Sequence, residues 1–352
     1  MLIFLVQKSY AEHFCVTTPI ELLFALSDAA SNGQSDLIKI AEGNYSITSF
    51  NLVYNGIKDF DLEISGGWAP LAGEACGQQL THSPFNTVLD NSNNRVLKIF
   101  SNMQSEIKIS NIQFINGFNL NGNGGAINFS DTQIGSIAIN NCAFVNNFVV
   151  NGDGGALSIN SIKLVFSDNL VVENNSITSA SLHFTFQANA IGGYIINNTI
   201  IANTVEDKQS SLIGGLDINA QGTSKIFVAN NVFWDNDYHQ ISLTGDGYKY
   251  LFNNNIAGTA SGVAADEESG NFSTIPLFEK GVLSYVPLLE SSLINAGFHP
   301  TSTTVVPIPF EDDWVLNSND INGLERVQDH RVDVGAYEAA AEIPIFNNGF
   351  EL

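Results

Sequence analysis

Apolar and polar residues alternate with a period of two through most of this chain. Leu37-Ile38-Lys39-Ile40, Val96-Leu97-Lys98-Ile99, Ile107-Lys108-Ile109-Ser110 and Ile137-Ala138-Ile139-Asn140 each read as a short strand with one face toward a core. One segment differs. Thr18-Pro19-Ile20-Glu21 has the form of a capping box with proline at the first helical position, followed by apolar Ile20, Leu23, Phe24 and Ala30 and a stop at Asn32-Gly33. This predicts one amphipathic helix over 19–31; no later segment has helical periodicity.

The strands belong to a repeat. Asn111-Ile112-Gln113-Phe114 returns 30 residues later as Asn141-Cys142-Ala143-Phe144, and Gly124-Gly125-Ala126-Ile127 returns at the same offset as Gly154-Gly155-Ala156-Leu157. Weaker copies start at Asn169, Asn198, Asn231 and Asn255, at offsets of 28, 29, 33 and 24. Strand-only units of this period build a solenoid, each unit making one coil. The predicted fold is all-β: a single-stranded right-handed parallel β-helix with an N-terminal amphipathic capping helix. The pairs Asn140-Asn141, Asn197-Asn198, Asn230-Asn231 and Asn254-Asn255 fit turn positions, where asparagine tolerates a left-handed backbone and its amide can bond to equivalents in neighbouring coils. Glycines 124, 154, 192 and 214 suit corners. The expected organisation is a clipped export signal at 1–11, an N-terminal cap at 12–35 and about eight coils over 36–270. Final coils with a C-terminal cap follow at 271–340, where Pro276, Pro287, Pro300, Pro307 and Pro309 cluster, and a tail at 341–352.

Composition narrows the partners. Only 14% of the 352 residues are charged, and 42 are asparagine, so the surface is covered by amides and hydroxyls. With 13 Lys plus Arg against 36 Asp plus Glu, the formal charge of −23 excludes nucleic acid as a partner. No apolar run is long enough for a transmembrane segment. The apolar start Leu2–Val6, followed by Ser9-Tyr10-Ala11, has the shape of the end of a signal peptide and points to a secreted or surface protein. Three cysteines allow one bridge. Cys142 lies in an alternating apolar segment as an inert thiol, which leaves Cys15 with Cys76 as the preferred disulfide if the chain is exported.

The repeats resemble known families. Gly124–Ile127, Gly154–Leu157 and the F-x-x-N of Phe144–Asn147 resemble the repeats of chlamydial polymorphic outer membrane proteins, although Gly117 stands where the Phe114 copy should have asparagine. Most of the chain resembles the bacterial secreted β-helix proteins called choice-of-anchor Q, within the pectin-lyase-like class. That likeness rests on Phe14-Cys15-Val16 with the helix, Ile40–Tyr45, Ile64-Ser65-Gly66-Gly67-Trp68 leading to Cys76, and Asn86–Asp90. It continues at Pro276-Leu277-Phe278, Ser291–Gly297, and Arg326 with Val332–Glu338, with Asn295 where aspartate is usual; residues 345–351 resemble a short ending some members share. The resemblance implies a bacterial exported protein without an assigned activity.

The chemistry must come from a site rather than from the fold. Polygalacturonase-like hydrolysis would leave strand-borne Asn-Thr-Asp, His-Gly and Arg-Ile-Lys signals, and only Asp312-Asp313 is present. Elimination needs a basic residue beside calcium-binding acids, yet the arginines are Arg95, Arg326 and Arg331 alone, and the last two fit ion pairs with Asp329 or Asp333. No nucleophile elbow, zinc helix or phosphate loop occurs, so no catalytic or metal residues are assigned. Asp320–Gly323 and Asp329–Asp333 carry clustered oxygens, but their spacing misses a calcium loop and favours turn capping. The candidate glycan-binding set is Trp234, Asp235, Asp237, Tyr238, His239 and Asp246, because aromatic rings stack on sugar faces while carboxylates accept hydroxyl bonds. The alternative for that stretch is a plain turn. Asp153 and Asp217, on or beside outward strand positions, could join a site or simply be solvated. The net charge favours a neutral glycan unless calcium or a local basic patch compensates. The expected function is adhesion or glycan binding at the cell surface without catalysis. The alternative is a carbohydrate-active enzyme, a polysaccharide lyase or glycoside hydrolase working in a groove along the coils.

Overall fold

The structure, a computed structural model, describes residues 12–56, 59–70, 76–101, 105–131, 135–207, 213–298, 317–328 and 331–339. The apolar start at 1–11, Asp312-Asp313, Asp329 and the tail at 341–352 lie outside them.

The chain forms a parallel β-helix. Each coil adds one strand to each of three long parallel sheets, of ten, eight and eight strands, and four coils also contribute to a four-stranded ribbon. One coil shows the plan. Ser136–Asn140 lies in the first sheet, Ala143–Val145 in the second, Phe148–Asn151 in the ribbon and Leu157–Ser161 in the third, before Lys163–Ser167 re-enters the first. Eight strands in both the second and third sheets correspond to eight coils. The alternation explains the wall: inward Leu97, Ile127, Leu157, Leu182 and Leu216 stack coil upon coil with less than 3% of each exposed. Phenylalanines fill the middle, with Phe114 on Phe144 at 5.2 Å, then Phe166 and Phe184 in sequence.

The corners use asparagine in two distinct ways. Where the first sheet turns into the second, Asn111, Asn141, Asp168, Asn197, Asn230 and Asn253 hold φ between 50° and 58°. The next residue makes the ladder inside the coil. Asn169 donates its backbone N–H and its Nδ2 to Asn198 Oδ1, both at 3.0 Å, and Nδ2 also to Ile139 O at 2.9 Å. Asn198, Asn231 and Asn254 repeat the pattern, ending on Asn271. A second ladder runs Asn147, Asn174, Asn203, Asn236, Gln240. The left-handed turn and the amide ladder, expected of one residue, thus fall to successive residues. Because the ladder residue must be in line, Cys142 rather than Asn141 pairs with Asn169, and Asn254 rather than Asn255 with Asn231. Those two offsets are therefore 27 and 23, correcting 28 and 24. Gly117 departs from the repeat because its neighbours crowd it. A Cβ there would stand 2.3 Å from Gly125 O, while its N–H donates to Asn147 Oδ1 at 2.8 Å.

The helix Pro19–Ala29 has the expected capping box, with Glu21 N–H on Thr18 Oγ1 and Thr18 N–H on the Glu21 carboxylate. Its buried stripe is Leu22, Ala25, Leu26 and Ala29, packed on the strands Glu12–Val16, Asp36–Ala41 and Leu52–Gly56. Leu23 and Ala30 join the edge of that core. Ile20 and Phe24, expected inside, are 48% and 61% exposed, because each lies two residues from Leu22, on the opposite side of the helix from the buried stripe. Cys15 and Cys76 are joined, with Cα atoms 4.9 Å apart, fastening strand Glu12–Val16 to the loop after Leu62–Trp68, two strands along the first sheet. Cys142 is a buried free thiol, pushed up by burial to about 12. That thiol is inert at neutral pH.

Residues 317–328 and 331–339 run along the side of the solenoid, at the corner between the first and second sheets. Asn141 Nδ2 donates to Asp320 O, Ala336 N–H to Thr199 Oγ1 and Gly335 N–H to Asn230 O. Residues 293–298 join them: Asn230 exchanges bonds with the Phe298 backbone, and Asn253 Nδ2 donates to Ala296 O. Arg326, fully buried, pairs with Asp168 and with Glu338 at 2.7 Å, not with the expected Asp333. Asp333 is occupied otherwise, accepting from the Asn295 and Ala339 N–H groups. Asp320 caps its own turn, accepting from Asn322 and Leu324 N–H at 2.9 and 2.7 Å.

Candidate functional site

The predicted cluster at 234–246 is dispersed by the fold. Trp234 leaves the second sheet outward but is covered by the C-terminal segment, packing beside Phe278, Leu293 and Val334. Asp235 takes the left-handed corner at φ 54°. Asp237 closes a turn: its Oδ2 accepts from Val205 N–H at 3.1 Å, and its own N–H donates to Asn203 O. Tyr238 and His239 are exposed at the start of the strand His239–Thr244. Asp246 follows that strand's far end, about 20 Å away at strand rise. There its Oδ1 accepts from Gly222 N–H at 2.7 Å, a bond that holds its carboxyl below the usual range. Turn and corner geometry accounts for Asp235, Asp237 and Asp246.

A second polar surface lies on the third sheet. The outward positions of the third sheet form two polar rows that run with the solenoid axis. The first row is Val53, Lys98, Asn128, Ser158, His183, Asp217 and Ser242, and the second is Phe100, Ser130, Asn160, Thr185, Asn219 and Thr244. Alternation forces this: each row is the polar half of strands whose other half is core. Over the first four strands the ribbon residues Phe118–Asn121 and the turn Asn93–Arg95 rise beside the sheet and enclose a cleft of about 1020 Å³. Strand spacing makes this stretch about 14 Å long. Its floor is amide and hydroxyl, its wall carries Phe118 and Phe100, and no carboxylate lines it among the described residues.

Two cations stand in the cleft. Arg95 Nε donates to Asn123 O and Gly124 O at 2.9 and 2.8 Å, which fixes the guanidinium plane against the Gly124 corner. Lys98 Nζ lies 4.2 Å over the Phe100 ring, a cation–π contact. Burial holds both groups below their ordinary values, and Arg95 adds repulsion at Lys98.

Farther along the same rows Asp217 meets His183. Asp217 Oδ2 lies 3.1 Å from His183 Nδ1, and Thr185 Oγ1 lies 3.3 Å from Nε2. Burial acts to lower the imidazole, but the bond and charge of Asp217, with the charge of Asp153, outweigh it and hold His183 above its usual value. Hydroxyl, imidazole and carboxylate in this order form the relay of acyl-transfer sites. The backbone N–H groups of these strands are engaged in parallel ladders, however, so the sheet offers no amide pair for an oxyanion. What the row offers is a line of hydroxyl, amide, imidazole and carboxylate groups spaced by the coils.

Asp153 and Asp217 were the sequence signals nearest this surface. Arg95 and Lys98 carry no site role in the sequence reading, and Phe100, Phe118 and His183 no signal of their own; the alignment of coils on the ladder asparagines stacks such outward residues into rows. Among the described residues no three His, Cys, Asp or Glu side chains gather as metal ligands. No helix among them is long and apolar enough to cross a membrane. No family model matches this chain, and no curated protein matches it.

Proposed function

We propose that this chain is an exported β-helix protein of the bacterial surface or medium that binds glycans on the outer face of its third sheet without cleaving them. The cleft beside that sheet carries the reading. It is elongated, floored by Asn128, Ser130, Ser158 and Asn160, and edged by the rings of Phe100 and Phe118. Fixed amides and hydroxyls exchange hydrogen bonds with sugar hydroxyls, while a ring covers the apolar face of a pyranose. The Cys15–Cys76 bridge supports export, since such bonds persist in oxidising compartments.

Affinity electrophoresis of the full chain in gels containing soluble polysaccharides tests this reading. The expected result is retardation by at least one polysaccharide, lost in a Phe100→Ala, Phe118→Ala variant. No reducing ends or unsaturated products should appear on long incubation, with or without calcium. Release of product assigns the protein to the carbohydrate-active enzymes instead.

A further inference from the structure

We propose that Arg95 and Lys98 form an anion subsite, so that the cleft takes a glycan bearing carboxylate or sulfate groups. The inference rests on the glycan reading above and names the substrate class. Cations are scarce in this chain, 13 against 36 acids, yet two of them share one cleft. Neither has a carboxylate within ion-pair distance among the described residues, whereas Lys108 pairs with Glu106 and Arg326 with Asp168 and Glu338.

The geometry is prepared for an incoming anion. The two carbonyls on Arg95 Nε hold the guanidinium in place and engage only that nitrogen. Gly122 lies beside the guanidinium, where a Cβ would be in van der Waals contact with Nη2 at 3.5 Å. Lys98 is held over Phe100 beside the row of Asn128 and Ser158, where sugar hydroxyls would lie. Partial burial deprives both cations of hydration, and their mutual repulsion is relieved by a negative partner. The net charge of −23 favours a neutral ligand at long range. Charges beyond a screening length of about 8 Å are damped at physiological salt, so inside the cleft the local pair decides.

Titration calorimetry of the full chain with hexameric mannuronate, its methyl ester, sulfated maltohexaose and plain maltohexaose separates the cases. Free mannuronate or the sulfated sugar should bind about tenfold tighter than its uncharged counterpart, as a charge-assisted bond predicts, and whichever is tighter identifies the anion. That preference should shrink with added salt, vanish in Lys98→Gln and persist in Lys98→Arg. Equal binding of charged and uncharged forms, or an unchanged preference in Lys98→Gln, overturns the subsite while leaving the glycan reading intact. Binding of none of the four overturns both.

Discussion

Asp168 and Arg326 lie 158 residues apart in sequence and meet with both side chains sealed from solvent. Asp168 occupies a left-handed corner of the solenoid at φ 58°, and Arg326 also donates to Glu338 and to the Gly335 carbonyl. Removing the guanidinium would strand two buried carboxyls. Arg326→Met should therefore cost about 3–5 kcal/mol in urea unfolding. Adding Asp168→Asn to it should recover part of the loss. A cost near zero for the single change would mean that the C-terminal segment is held by other contacts.

The same cluster predicts a pH response. Arg326 faces Asp168, Glu338, Asp320 and Asp333, one cation among four carboxyls. Burial raises Glu338 to about 8 against the pull of Arg326, with the charge of Asp333 adding to the rise; burial raises Asp320 and Asp333 as well. A carboxyl raised in the folded state contributes stability that is complete below its unfolded value of 4.5 and is lost as pH climbs through about 8. Hydrogen exchange of residues 317–339, corrected for intrinsic rates, should thus be faster at pH 9 than at pH 6. Equal corrected rates would rule this coupling out.

The amide ladders predict a sharp contrast between two asparagines. Asn198 accepts from Asn169 and donates to Asn231 and to the Phe166 and Ile196 carbonyls, all inside the coil. Asn198→Ala leaves several buried groups unpaired and should cost roughly 2–4 kcal/mol. Asn151, whose Nδ2 reaches Asn121 Oδ1 at 3.1 Å on the exposed ribbon, is the control. Asn151→Ala should change stability by less than about 0.5 kcal/mol, both measured by thermal unfolding.

Thiol chemistry gives a fourth check. The native, unreduced protein should show no thiol reactive to an aromatic disulfide reagent, and unfolding it without reductant should reveal one, Cys142. Replacing both Cys15 and Cys76 by serine opens a closure of 61 residues, worth about 4 kcal/mol in the chain-entropy account. The loss should appear as early melting of the helix Pro19–Ala29, followed by proteolysis near Phe24.

How far the sequence could be read depended on the range of the contacts involved. Alternation and the 30-residue offset were enough for the coils, because each strand repeats the chemistry of the one below; Phe114 on Phe144 and Ile127 beside Leu157 are in register as expected. The capping box and the inert Cys142 were local and equally legible. The helix stripe was misplaced because Ile20 and Phe24 are as apolar as the residues that are buried, and only the spacing of Leu22, Ala25, Leu26 and Ala29 marks the inner face. At the 234–246 stretch, Trp234 carries no mark of the segment that packs over it, which comes from residues some 40–100 positions later. Lys98 and His183 reveal themselves only when coils are stacked, since their neighbours across the rows lie 25–45 residues away.

The first corner of the coils carries Asn or Asp at every left-handed position from Asn111 to Asn253, whereas the second admits Glu173 and Ala202. The difference tracks the C-terminal segment, which grips Asn141, Asp168, Asn230 and Asn253 in turn. A solenoid held only by neighbours can fray or open in the middle, one rung at a time. Lashed along one spine, these rungs must come apart together, so the coils from Asn141 onward should melt as a single cooperative block, while the coils before it, which carry all of the cleft except Ser158 and Asn160, retain freedom to breathe.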